Sequence, residues 1–241
     1  MSDRPALHVI CSDRARNGKT LLARLVADWL RLSGERPFII DLDEPDAPLA
    51  ARWPGQSLAA DFSTIGGRVR IFDAVMEAPR RDHVMDIPAR HLDDFLREAE
   101  KIAFFDAARE AGMEVIFLFM VDKSMRSIRK ARELMERFEN CRFHPARNAF
   151  VGDLLKDEDA SELYLDLYLK GEVALPKLTP DTMATVEGPG FSFRGFALGQ
   201  IEAPTSFQHY ELSDFTDTVF EQLNKLQFRL DMEELKDMGL I

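Results

Sequence analysis

The tripeptide Gly18-Lys19-Thr20 stands between an apolar run, Leu7 to Cys11, and a segment whose apolar residues recur every three or four positions. That placement narrows the folds open to this chain more than any other feature. Leu21, Leu22, Leu25, Val26, Trp29 and Leu30 give Lys19 to Leu32 one apolar face, the pattern of an amphipathic helix. Gly34 follows as a helix stop, and Pro37 to Leu42 is a second run of strand length. A strand, a polar turn from Ser12 to Gly18, a helix and a strand form a crossover unit. Such a crossover is what joins parallel strands, so the expected class is α/β, with three layers (α/β/α) and a mostly parallel sheet.

The rest of the chain extends this alternation. His83 to Ile87 reads as a strand ending at Asp86 and stopped by Pro88. Leu92 to Ala111 reads as one helix with Gly112 at its C-cap, and Glu114 to Val121 as a fully buried strand. Ser124 caps an amphipathic helix reaching Phe138, and Cys141 to Ala149 holds a strand broken near Pro145. Between them, Glu44 to Gly67 reads as loop with room for a short helix, and Val69 to Met76 fits a strand or a helix. Further on, Asp157 to Leu169 has a helical pattern, Gly171 to Leu175 is a short strand, Pro180 to Glu187 a short helix, and Leu212 to Met238 a long one. No repeat or linker interrupts the chain. One domain over residues 1–241 is expected, with its motifs in 7–150 and with 151–241 completing the sheet and ending in the long helix.

Composition bounds the function. With 241 residues, 46% hydrophobic and 30% charged, the chain can bury a sizeable core. Its net charge of -11 repels phosphate backbones at long range, so nucleic-acid binding is not favoured despite the local pairs Arg14 and Arg16, Arg68 and Arg70, Arg80 and Arg81. Phe191-Ser192-Phe193-Arg194-Gly195-Phe196 is read as a core turn or a protein contact rather than a platform for bases. The two cysteines, Cys11 and Cys141, have neither metal-ligand spacing nor a partner framework, which suits a reducing cytoplasm. Met1-Ser2-Asp3-Arg4-Pro5 lacks the apolar core of a signal peptide, and the longest apolar run, Val115 to Val121, is far short of a membrane segment. His83, His91, His144 and His209 are scattered without ligand spacing.

The chemistry concentrates at Gly18-Lys19-Thr20. Amide groups at a helix N-terminus point outward and attract anions. A lysine there reaches β- and γ-phosphates, and the threonine hydroxyl can ligate Mg²⁺. Asn17, Gly18, Lys19, Thr20 and Leu21 are thus candidate nucleotide-binding residues. The usual loop has glycine at the position of Asp13, and here Arg14-Ala15-Arg16-Asn17 intervenes with no glycine. Two acidic strand ends follow: Asp41-Leu42-Asp43, and Asp86 in Asp86-Ile87-Pro88. In parallel sheets ligands sit beyond such ends, where acids can serve a metal or a water.

In this order the motifs resemble those of the ParA/MinD-type ATPases, the deviant-Walker branch of the phosphate-loop NTPases. Arg14 stands where that family has an extra lysine, Ala15 and Arg16 replace its two glycines, and Gly18-Lys19-Thr20 is intact. Asp41-Leu42-Asp43 matches the family's Asp-x-Asp, Asp86-Ile87-Pro88 its Asp-x-Pro, and Asn148 its adenine-contacting asparagine. The resemblance implies ATP and Mg²⁺ as ligands, with slow hydrolysis coupled to homodimerisation and a protein partner or cargo adaptor. It implies Lys19, Asp43 and, in trans, Arg14 as catalytic residues, and Thr20, Asp86 and Asp41 as metal residues. Two alternatives stay open: a pseudo-ATPase interaction module of the same fold, and an ATP-dependent biosynthetic enzyme of the dethiobiotin-synthetase or amide-synthase type.

Overall fold

The computed structural model describes residues 4–152, 158–237 and 239. Seven strands make one sheet: β1 (Ala6–Cys11), β2 (Phe38–Asp41), β3 (Ser57–Ala59), β4 (His83–Asp86), β5 (Glu114–Met120), β6 (Arg142–Asn148) and β7 (Val173–Leu175). Their order is β3-β2-β4-β1-β5-β6-β7, and every pairing is parallel. The chain builds one wing of the sheet before β5 and the other after it. The crevice beyond the end of β1 is therefore the place such a fold offers a ligand.

Helices cover both faces. On one lie α1 (Lys19–Leu32), α7 (Pro180–Glu187), α8 (Phe193–Ala197) and α9 (Ser206–Asp237); on the other, α2 (Ile65–Met76), α3 (Leu92–Lys101), α4 (Phe104–Glu110), α5 (Met125–Arg137) and α6 (Glu158–Leu169). The second face is where the phenylalanines collect. Phe62, Phe72, Phe95, Phe104, Phe105, Phe117 and Phe138 form a chain of rings in contact, each pair 4.8–6.2 Å apart. Phe191, Phe193 and Phe196 pack in the first face's core, so that stretch is core as expected, but from Phe193 it is helix α8 rather than a turn.

Several local expectations change. The single helix expected over Leu92 to Ala111 is two, because Ala103 takes a left-handed φ of 50° and turns Phe104 and Phe105 into the core. Strand β6 runs unbroken through Pro145. Ala146 turns its carbonyl to Val121 beside β5, so the Pro145 nitrogen faces the other side, and there β7 begins only at Val173 opposite Ala146. The loop expected over Glu44 to Gly67 does hold one short helical turn, Ala50–Arg52, but it also contains β3 and the start of α2, whose N-cap is Thr64. The long last helix starts earlier, at Ser206, and the expected ends Asp157 and Met238 lie outside the described residues. Ser124 does cap α5, accepting the Ser127 amide at 3.2 Å. Cys11 and Cys141 are free thiols, and burial pushes both up to about 12. Among the described residues, no helix is long and apolar enough to cross a membrane.

Candidate functional site

The loop between β1 and α1 is held by side chains of its own. Asn17 Nδ2 donates to Ser12 Oγ at 2.5 Å and to the Met120 carbonyl at 3.1 Å, and Ser12 Oγ donates to that same carbonyl at 2.8 Å. Asp13 accepts from Ser127 Oγ at 2.8 Å, tying the loop to α5. Asn17, read from sequence as a cradle residue, thus turns its side chain inward as a brace. Gly18 takes φ +100°, and a Cβ there would lie 2.6 Å from Asn148 Nδ2, so both backbone and space require glycine. Arg16 adopts φ 58° at one of the two positions where the resembled family has glycine. Left-handed backbone costs an L-residue about 1–2 kcal/mol, and the loop keeps the bend despite it.

The bend aims the first turn of α1 into a cleft of about 630 Å³. Gly18, Lys19, Thr20 and Leu21 line it, facing Asp43, Asp86 and Arg90. No side chain caps this helix end and its first turn holds no acid, which leaves the positive end of the helix dipole uncompensated. The Lys19 ammonium folds back on the loop, donating to the Arg14 carbonyl at 2.7 Å and to Asn17 Oδ1 at 3.3 Å. Burial lowers its affinity for a proton, while Asp86 opposes that shift.

Asp86 is the most perturbed acid of the cleft. Thr20 Oγ1 donates to its Oδ2 at 2.6 Å, whereas Oδ1 is buried with no hydrogen-bond partner. Burial pushes the carboxyl up to about 7; the Thr20 bond and Lys19 pull it down, and Asp41 and Asp43 push it further up.

The two acids of Asp41-Leu42-Asp43 part company. Asp41 accepts from the amides of Asp43 at 3.0 Å, Leu49 at 2.8 Å and Ala50 at 3.1 Å, and is fully buried. Both its oxygens serve the backbone, so in this structure it organises the loop after β2, and it is not among the residues that line the cleft. Asp43 does line it, with Oδ1 2.5 Å from Arg90 Nη2.

Arg14 lies outside the cleft lining. Its guanidinium pairs with Asp122 at 2.7 Å and donates to Ser124 Oγ at 3.2 Å, at the start of α5. Asn148 lines the cleft beside Gly18; its Oδ1 accepts the Phe150 amide at 3.0 Å. Met183 and Glu187 of α7 also line it. Glu187 is held by Arg24, which also donates to the Val186 carbonyl at 2.7 Å and lies over the Phe193 ring.

Sequence reasoning missed Arg90, Met183 and Glu187. Arg90 carries a usable signal: it stands four residues after a strand-end Asp, in the stretch that must cross the sheet's edge. Glu187 had none, since its partner Arg24 is more than 160 residues away. His8, His83 and His144 are buried within the sheet, where burial pulls each down to about 4, and none reaches the cleft. Among the described residues, no three His, Cys, Asp or Glu converge as a metal site.

Comparison with protein-family models and with curated sequences gives no match. In structure, the chain is similar to one in the "MinC:MinD cell division protein complex" of Aquifex aeolicus, at 18% identity and a TM-score of 0.50, covering 91% of this chain and 96% of that one. The three-layer α/β architecture expected from sequence, with a mostly parallel sheet, has an all-parallel one, and it is a MinD-like fold.

Proposed function

We propose that this cleft binds ATP with Mg²⁺ and that the protein is a ParA/MinD-like ATPase. The observation that carries the reading is Asp86, with one oxygen on the Thr20 hydroxyl and the other buried and unpartnered beside an uncapped helix end. A buried acceptor without a partner costs about 1–3 kcal/mol, which a cation at Oδ1 would recover. The group fits the residues present. Thr20 and Asp86 would hold Mg²⁺, the Gly18 to Leu21 amides and Lys19 the phosphates, and Asn148 the base. A bound Mg²⁺ would supply neutralisation of phosphate charge. The chain's own part is positioning: Lys19 exchanges the Arg14 carbonyl for a phosphate oxygen, and Asp43 orients water at the terminal phosphate.

Nucleotide-dependent homodimerisation, with a protein partner or cargo adaptor, belongs to the same reading. A trans role for Arg14 would require it to leave Asp122. The left-handed Arg16 answers part of what separates this reading from a pseudo-ATPase, since the loop is already bent without glycine. The test is calorimetry of the whole chain with ATP and Mg²⁺. Binding is expected, with a loss of at least tenfold in Lys19→Ala. No heat from the unmodified protein, with a fully folded circular-dichroism spectrum, would leave the interaction-module reading in its place.

A further inference from the structure

We infer that Arg90 is the residue by which this cleft distinguishes a nucleoside triphosphate from a diphosphate, and that it does so within a single chain. The inference rests on the nucleotide reading above and adds to it the cation that faces the terminal phosphate. Three observations support it. The first is position. The phosphate loop and the β4–α3 connection both line the cleft, and Arg90 is the cation which that connection contributes. Its guanidinium is on Asp43 and it follows Asp86 by four residues, so it stands with the acids assigned to metal and water, toward which a terminal phosphate would extend.

The second is the partner Arg90 has in this structure. Its guanidinium is on Asp43, but the two side chains are 54% and 31% exposed. An exposed ion pair of this kind is worth about 0–1 kcal/mol, and an arginine–phosphate contact is stronger and can be bidentate. A terminal phosphate can therefore draw Arg90 from Asp43 at little cost. The same exchange frees the Asp43 carboxylate at the place where a water would need orienting. The third is the contrast with Arg14. That arginine, the one expected from sequence to meet phosphate, is committed to Asp122 and Ser124 on the far side of the loop. Among the described residues lining the cleft, the cations are Arg16, Lys19 and Arg90; the first two belong to the phosphate loop.

The test compares ATP and ADP binding, each with Mg²⁺, by calorimetry on the full chain and on Arg90→Ala and Arg90→Lys. ATP affinity should fall about tenfold in Arg90→Ala, while ADP affinity changes less than about twofold. Arg90→Lys should recover part of the loss, as a point charge without the planar fork. The discrimination should hold at dilutions where sedimentation shows a monomer. Equal weakening of both nucleotides, or no change in either, overturns the inference and leaves the ATP reading standing. Discrimination confined to a dimer assigns the cation to a second copy, which also overturns it. Absence of binding by the unmodified chain overturns both. Because Arg90 is exposed, thermal melts of the variants should overlay that of the parent; a large shift would mean that the Asp43 pair holds the loop and would count against exchange.

Discussion

Asp41 and Asp86 stand side by side at the ends of β2 and β4, opposite one another in the register. Burial pushes both carboxyls upward. They differ in what their oxygens meet. After β2 the chain curls back and presents three amides to Asp41, satisfying it completely. After β4, Ile87 gives its amide to Ile10, Pro88 has none to give, and no later amide turns back to the Asp86 carboxylate among the described residues. Among those residues only the Thr20 hydroxyl, from α1, bonds that carboxylate. A strand-end acid is thus put in place by the sheet, but the loop that follows decides whether it becomes a structural brace or a ligand in waiting.

The comparison is most severely tested at Asp41. Asp41→Ala would strand three amides, two of them buried, and a loss of about 3 kcal/mol is expected in urea unfolding at pH 7. A loss below about 1 kcal/mol would mean that the loop after β2 does not depend on the carboxylate, and the contrast would collapse. Asp86→Asn should move stability in the opposite direction. Because the Asp86 carboxyl is carried from 3.8 to about 7, the folded protein holds that proton where the unfolded chain has lost it. Its stability therefore falls as pH rises from about 4 to 7. Asparagine has no charge to bury, so the variant should exceed the parent by about 2–3 kcal/mol at pH 8 and by nearly nothing at pH 4. Mg²⁺ with ATP should stabilise the parent and not Asp86→Asn. A variant less stable than the parent at pH 8 would show that the carboxylate is already satisfied, as Asp41 is.

Gly18 sets where Thr20 stands relative to Asp86. Gly18→Ala must adopt φ +100° and push against Asn148, and a loss of about 2 kcal/mol is expected, read from thermal melts. An Asn148→Gly background should recover part of it by opening the space but not the cost of the dihedral. No recovery would place the whole cost in the backbone.

The motif half of the site was legible because its chemistry is local. Gly18, Lys19 and Thr20 are consecutive, and Asp43 and Asp86 each follow an apolar run whose strand character is plain. What each side chain meets was not legible. Sequence places Asp41 and Asp43 both in the site, one for metal and one for water; their parting depends on how residues 43–50 fold back, and that stretch has no periodic pattern. Arg24 sits within the most confidently helical segment, yet its partner comes from α7, because α1 is covered by the sheet on one side and by α8 and α9 on the other. The fold was read well where runs are long. It failed at β3, three residues with no apolar run, and at the α3–α4 break, where nothing marks Ala103 for a positive φ.

The finest test of the contrast is Thr20→Val, which keeps the shape and removes the one bond that Asp86 has. The hydroxyl favours the ionised carboxylate, so its loss should raise the Asp86 carboxyl further. The cost should be about 1 kcal/mol at pH 8, where the folded protein must carry the charge, and should shrink toward pH 5, where Asp86 is protonated with or without Thr20. In an Asp86→Asn background the same substitution should cost less, since no charge remains for the hydroxyl to support. Chemical denaturation of the four proteins of this cycle at both pH values measures the coupling directly. A cost equal at both pH values and undiminished in the double variant would mean that the hydroxyl supports the start of α1 rather than the carboxylate. The difference between the two strand ends would then rest on Pro88 alone.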